Sequence, residues 1–344
     1  MGLMRILYLG STSPTACASF YADAAESLGH EVFRWDPELF RVQNLSQYLH
    51  LKILKTPAQP KRDQCREEIV KKCSVLKVDL VFNLAENFLS LDFLQELKSL
   101  SQPPRIVYHS HDNNFSSGIL KPDDFFESLA WYDCVFTTKS QNLQKYKMLG
   151  QSRAFYIPSA YEPKVHRPLS TNESKLGNQE FAVSFIGTYD RSRDRFLEAL
   201  DWNKLFIWGD RWKRFSHYRK YKNHIHPKAI YYPDFADVLS HSRVTLGLLR
   251  EEAADKHTQR TFEIPACGAL QVAPRNDEIL SFFEENKEIV CFDSPEELKD
   301  KVDFYLSHES ERKRIAGAGF ERVTRSRHTY CDRVKTILER VLST

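Results

Sequence analysis

The chain has 344 residues, 42% hydrophobic and 28% charged, with 23 Phe, 15 Tyr and 5 Trp; this excludes a disordered, collagen-like or low-complexity protein and suits roughly two domains of about 150 residues each. Lys and Arg total 49 against 46 Asp and Glu, a formal net charge of +3. That is too near balance for a protein that coats nucleic acid with its whole surface, so no stable nucleic-acid complex is expected and any anionic partner must be met locally.

In chain order, the apolar runs at 5–9, 31–35, 79–82, 105–108, 134–137 and 154–157 predict strands, separated by helical patterns at 16–28, 62–76, 90–99, 123–130 and 139–148. Repeated β-α units of this kind make a parallel sheet covered on both faces. Between Pro158 and Gln179 the composition turns to Pro, Ser, Asn, Lys and Glu, which reads as an exposed connection. Strands are then expected near 181–186, 204–208, 229–232, 244–249, 269–273 and 288–292, with helices near 192–200, 234–241, 258–267, 276–284 and 295–306. Two further helices, 309–323 and 328–342, have no strand after them. The domains expected are 1–160, 181–325 and a C-terminal helical segment, 326–344, free to pack back on the first. The apolar run after Arg5 breaks at Gly10, no stretch approaches the roughly 18 apolar residues of a membrane span, and the seven cysteines form no C-x-x-C pair. A cytoplasmic protein without disulfides or structural zinc is the expectation.

The most specific stretch is Arg260-Thr261-Phe262-Glu263-Ile264-Pro265-Ala266-Cys267-Gly268-Ala269, followed by an apolar strand and Phe292-Asp293-Ser294-Pro295-Glu296-Glu297-Leu298. Glu263, one helical turn before Cys267 and Gly268, can offer two acceptor oxygens to the hydroxyls of a vicinal diol such as ribose, while the small Gly268 lets the helix end approach the next strand. An ordinary solvent-facing helical glutamate is the alternative. Gly187-Thr188-Tyr189-Asp190-Arg191-Ser192-Arg193 follows a strand and opens a helix, an arrangement that can present backbone donors and Arg193 to an anion.

With these residues in view, the sequence resembles the CgeB-like, spore-maturation-type glycosyltransferases of the GT-B fold. Gly29-His30-Glu31-Val32, Tyr132-Asp133-Cys134-Val135-Phe136 and the closing His328-Thr329-Tyr330 with Arg333 extend the likeness over most of the chain. The resemblance implies an α/β protein of two doubly wound Rossmann-like domains facing a cleft. The second would hold a nucleoside-diphosphate sugar and the first an acceptor. It implies Glu263 on ribose, Gly187, Arg193, Lys256 and Arg260 around the diphosphate, Gly268 at the helix end, and Asp255, eight positions before Glu263, on the sugar hydroxyls. Asp255 reads equally well as a helix cap. His111 and Asp112, just past a strand end in the first domain, are the acceptor-side candidates.

Between Trp208 and Lys228 seven Lys or Arg residues stand against Asp210 alone, interleaved with Trp212, Phe215, Tyr218 and Tyr221. Such a segment can bind nucleic acid, stack on sugars, or meet an anionic or lipid-linked acceptor at a membrane surface, or it is an amphipathic helix with aromatics in the core and cations in water. No Asp-x-Asp occurs and neither His109 with His111 nor His224 with His226 has a third ligand nearby, so neither a metal nor another cofactor is expected. A nucleotide-sugar hydrolase or epimerase of the same fold and a non-catalytic polyanion-binding protein are the rival readings.

Overall fold

In a computed structural model of the chain, residues 2–36, 59–84, 89–116, 123–170, 172–177 and 179–343 are described. They form two compact units, Met1–Pro158 joined by Tyr330–Thr344, and Ser159–Thr329. None of the seven cysteines is in a disulfide, and among the described residues no helix is long and apolar enough to cross a membrane.

The first unit is built on β1 (Arg5–Leu9), β2 (Glu31–Trp35), β3 (Leu80–Asn83), β4 (Arg105–Ser110), β5 (Cys134–Thr137) and β6 (Ala154–Tyr156), all parallel, in the order β2-β1-β3-β4-β5-β6. β3 and β5 are buried at every position, which is why they read as unbroken apolar runs rather than alternating ones. The helix Tyr330–Leu342 also belongs here: Tyr330, Val334, Ile337, Leu338 and Val341 recur at helical spacing and are buried. Tyr330 meets Tyr21 edge-on at 4.9 Å and Phe20 at 5.2 Å, both on the helix Cys17–Ser27. Arg153 donates to the carbonyls of Arg340 and Ser343 at 2.5 and 2.8 Å, satisfying acceptors that the end of a helix leaves open.

The second unit carries β7 (Phe181–Ile186), β8 (Leu205–Trp208), β9 (Ile225–His226), β10 (Ser242–Leu246), β11 (Gln271–Pro274) and β12 (Val290–Phe292), again all parallel, ordered β12-β11-β10-β7-β8-β9. Strand order reverses between β7 and β10, so the loops leaving their carboxyl ends run to opposite sides and open a crevice. The core beneath it is packed from Val183, Phe185, Leu205, Ile207, Val244, Leu246, Val272 and Phe292.

Three sequence expectations are corrected here. No strand forms at 229–232; the sheet ends in the two residues of β9, and Pro227 and Pro233 flank the remaining β-prone stretch, each lacking the N–H a ladder needs. Tyr231 and Tyr232 are instead 57% and 37% exposed. The basic aromatic segment is not one amphipathic helix but a 3-10 turn, Trp212–Arg214, and a single α turn, Tyr218–Tyr221. Its aromatics do belong to the core: Trp212 and Phe215 are buried, and Tyr221 stacks on Trp202 at 4.1 Å. Trp212 and Phe215 are therefore unavailable for stacking on a sugar, whereas Arg211, Lys213, Arg214, Arg219, Lys220, Lys222 and Lys228 are exposed. Finally, the stretch read as an exposed connection, of which positions 171 and 178 lie outside the described residues, is part of the second unit, with Ser159, Tyr161 and His166 buried.

At the carboxyl end of β8 the backbone passes close to that of β7. Gly209 has φ +144°, and a Cβ there would stand 2.0 Å from the carbonyl oxygen of Gly187. Gly209→Ala is expected to destabilise the second unit by about 2 kcal/mol or more, through an unfavourable backbone conformation and a clash with main chain. Urea unfolding followed by tryptophan fluorescence would register this as a lower midpoint; an unchanged midpoint would mean that the two strand ends separate freely.

Candidate functional site

The crevice at the carboxyl ends of β7 and β10 encloses about 200 Å³ and is lined by Gly187, Thr188, Arg193, Gly247, Arg250 and Arg260 among others. Its charge comes first from Arg193. This residue closes the turn after Gly187, whose start is capped by Asp190 accepting from the Ser192 N–H at 3.0 Å. The Arg193 guanidinium is buried and donates to three carbonyls: Thr188 at 2.6 Å, Leu248 at 3.1 Å and Leu249 at 3.4 Å. It also lies 5.1 Å over the ring of Phe185. Thus one side chain ties the loop leaving β7 to the loop leaving β10. Burial lowers its pKa from 12.5 to about 10, against the opposing pull of Asp190 and Asp255, so it remains cationic at neutral pH.

Arg260 opens the helix Arg260–Ala266 and returns to the same strand end, its Nε donating to the Ile186 carbonyl at 3.3 Å and its guanidinium lying 4.3 Å over Phe235. One turn on, Glu263 is buried; its Oε2 accepts from Arg260, and its Oε1 lies 3.3 Å from His166 Nε2. A carboxylate offers about four lone-pair positions. Two of Glu263's are filled by these contacts, which leaves two acceptor positions for further donors. The solvent-facing alternative for Glu263 is therefore wrong.

Asp255 is no helix cap, because that helix begins five residues later. It is buried and accepts from Arg250 Nε at 3.0 Å, closing a turn whose backbone also pairs Asp255 N–H with Arg250 O at 3.1 Å. Lys256 beside it is exposed. Gly268 lies beyond the far end of the helix at φ +78°, where a Cβ would come 3.3 Å from Pro168; it stops the helix and meets the 158–179 stretch, not the following strand, and is not among the residues lining the crevice. The helices after Gly187 and Gln259 have five and seven residues, so charge in the crevice rests on side chains rather than on long helix dipoles. Of the residues expected around the donor, Gly187, Arg193 and Arg260 line the crevice, whereas Asp255, Lys256 and Glu263, like Gly268, are not among its lining residues; Arg250, which sequence reasoning did not name, does line it, and its signal was a second strand followed by glycine, Gly247, like Gly187 after β7.

His111 and Asp112 stand past the carboxyl end of β4 in the first unit, His111 half-buried and Asp112 exposed. His109 before them is fully buried, edge-on to Tyr21 at 5.0 Å, and burial holds its pKa well below 6.5. Among the described residues no three His, Cys, Asp or Glu side chains converge as metal ligands.

Residues 191–339 match the family described as glycosyl transferase-like. No curated protein matches the chain significantly. Solved structures resemble it over their whole length. HepE from Anabaena, crystallised with UDP and glucose, is 14% identical with a TM-score of 0.63, covering 99% of this chain and 100% of its own. A glycosyltransferase from Rickettsia africae gives 0.68 at 14% identity with full coverage of both chains, and the sucrose-phosphate synthase of Thermosynechococcus elongatus gives 0.68 at 13%, covering 98% of each. Residues 191–339, which include Arg193, Arg260 and Glu263, thus match a glycosyl transferase-like family, and the chain as a whole has the fold of GT-B glycosyltransferase structures.

Proposed function

We propose that the protein takes a nucleoside-diphosphate sugar into the crevice of its second unit and transfers the sugar to an anionic or lipid-linked acceptor received on the first unit. The observation that carries this reading is Arg193, a buried cation that lines the crevice and whose hydrogen-bond partners among the described residues are backbone carbonyls. Such a group gains most from an anion, and a diphosphate supplies one. Complexes of HepE with UDP and with UDP-glucose support a uridine nucleotide as the first donor to try.

In this reading the two open acceptor positions on Glu263 take the ribose hydroxyls. Arg193 and Arg260, with Arg250 and Lys256 at the mouth, meet the negative charge that grows on the diphosphate as the glycosidic bond breaks. Fixed cations perform the task that a divalent ion performs in Asp-x-Asp enzymes, so no metal is required. Asp255, shielded and paired with Arg250, orients that arginine and, through it, the sugar hydroxyls. His111 and Asp112 serve the acceptor, the imidazole as a base for its hydroxyl proton. Gly268 acts at a distance by ending the helix that carries Glu263. We place the protein with the CgeB-like enzymes, in the cytoplasm, peripheral at the inner membrane surface, where the seven exposed cations of Arg211–Lys228 face anionic lipid or acceptor.

Three outcomes follow. Glu263→Ala should weaken nucleotide-sugar binding by about 1.5–3 kcal/mol, tenfold to a hundredfold, in a chain that still folds but with a lower unfolding midpoint, since the buried partner of Arg260 is lost; calorimetry on the folded variant showing undiminished affinity would remove ribose from Glu263. Transfer should survive exhaustive EDTA while Arg260→Ala lowers turnover at saturating donor; activity abolished by EDTA and restored by manganese would place the charge on a metal instead. Reversal of Arg214 and Arg219 to Glu should raise the KM for acceptor, more at low salt than at high, and leave donor hydrolysis unchanged. Equal loss of both activities would remove the acceptor from this edge, and sugar release that no acceptor accelerates would favour the hydrolase reading.

A further inference from the structure

His166 comes from the 158–179 stretch, far in sequence from the helix Arg260–Ala266, yet both of its ring nitrogens are placed by specific contacts. Nδ1 accepts the backbone N–H of Glu162 at 3.0 Å, while the backbone N–H of His166 itself donates to Glu162 O at 2.7 Å. One helical turn is thus locked on the imidazole from both sides. With Nδ1 an acceptor, the proton of the neutral ring resides on Nε2, which lies 3.3 Å from Glu263 Oε1. Burial lowers the His166 pKa, the nearby carboxylate opposing that shift, so the donor is a neutral imidazole. The ring stands edge-on to Phe235 at 5.7 Å, and Arg260 stacks on that same phenyl ring at 4.3 Å. The two donors to Glu263 therefore share one aromatic support.

We infer that His166 is a positioning residue of the donor site: its Nε2–H fixes the Glu263 carboxylate in the orientation that leaves two acceptor positions open for a vicinal diol. A neutral donor suits this task. It holds one oxygen without cancelling the carboxylate's charge, whereas a second cation in its place would compete with the ligand for the same lone pairs. Gly268 against Pro168 shows that this stretch follows the helix to its far end, so Glu263 is held from outside its own helix. The inference rests on the ribose reading of Glu263.

The test compares His166→Phe, which keeps a ring against Phe235 but no nitrogen, with His166→Gln, whose amide restores a donor near the Nε2 position. Each is also combined with Glu263→Ala. The probe is whichever of UDP, GDP and ADP most raises the wild-type unfolding midpoint, titrated by calorimetry. His166→Phe is expected to weaken binding roughly tenfold, and His166→Gln to recover most of that loss. In the Glu263→Ala background neither change should have a further effect, because the histidine acts only through that carboxylate. In steady-state transfer the loss should appear in donor KM with kcat unchanged. Additive losses, or a His166→Phe affinity equal to wild type while Glu263→Ala is impaired, would overturn the inference and leave the ribose reading standing. Wild-type affinity in Glu263→Ala would overturn the ribose reading itself. If His166→Phe does not fold, the decision passes to His166→Gln, measured against His166→Asn, whose amide matches Nδ1: the inference requires the glutamine to bind the probe more tightly than the asparagine, and the reverse order overturns it.

Discussion

The contact on which the second unit's site depends is the grip of the Arg193 guanidinium on the carbonyls of Thr188, Leu248 and Leu249. At a topological switch point two neighbouring strands send their chains in opposite directions, and nothing in the sheet ladder holds the departing loops together. A planar cation with several donors can bridge them where an apolar side chain cannot, because the loop carbonyls must be satisfied in a place where water is scarce. The depression of its pKa to about 10 corresponds to about 3 kcal/mol held against the charged form. The group that ties the two loops together is thus also the buried positive charge of the crevice.

Around this contact the loops are braced by groups that touch no ligand. Trp212 donates its indole N–H to Gly187 O at 2.8 Å and Tyr189 N–H bonds to Asp210 O at 2.9 Å, so the turn after β8 supports the turn after β7. This accounts for the mixed character of the Trp208–Lys228 segment. Its aromatics serve the inside of the fold and its cations the outside, two tasks interleaved in one stretch of chain.

The strands and helices of both units were largely legible because buried parallel strands are short apolar runs, and the turns between them carry Gly, Pro and Asn. The failures have a common physical origin. Ala229-Ile230-Tyr231-Tyr232 has strand propensity, yet the edge of the sheet was set by the pairing of β9 with β8, whose last pair is Trp208 with His226. The 158–179 stretch has the composition of a loop and behaves as one in its backbone, but a few residues in it, His166 and Pro168 among them, are fixed by the distant helix they lie on. Arg193 and Arg260 stood out because cations next to a strand end and a helix start have local signatures. The pairing of His166 with Glu263 has none, since both residues are unremarkable until the chain is folded.

The first unit is assembled from the two ends of the described chain. Its sheet is made from residues before Pro158, but the helix that buries Tyr330, Val334, Ile337, Leu338 and Val341 comes only after the whole of the second unit has been made. During synthesis, which proceeds from the amino end at roughly 5–20 residues per second, the surface destined for that helix, including the flank of Phe20 and Tyr21, must wait roughly ten to thirty-five seconds for its cover. The intervening unit, continuous from Ser159 to Thr329, can complete its own core first. The nascent protein therefore passes through a stage in which the second unit can be complete while the first still has an open apolar face.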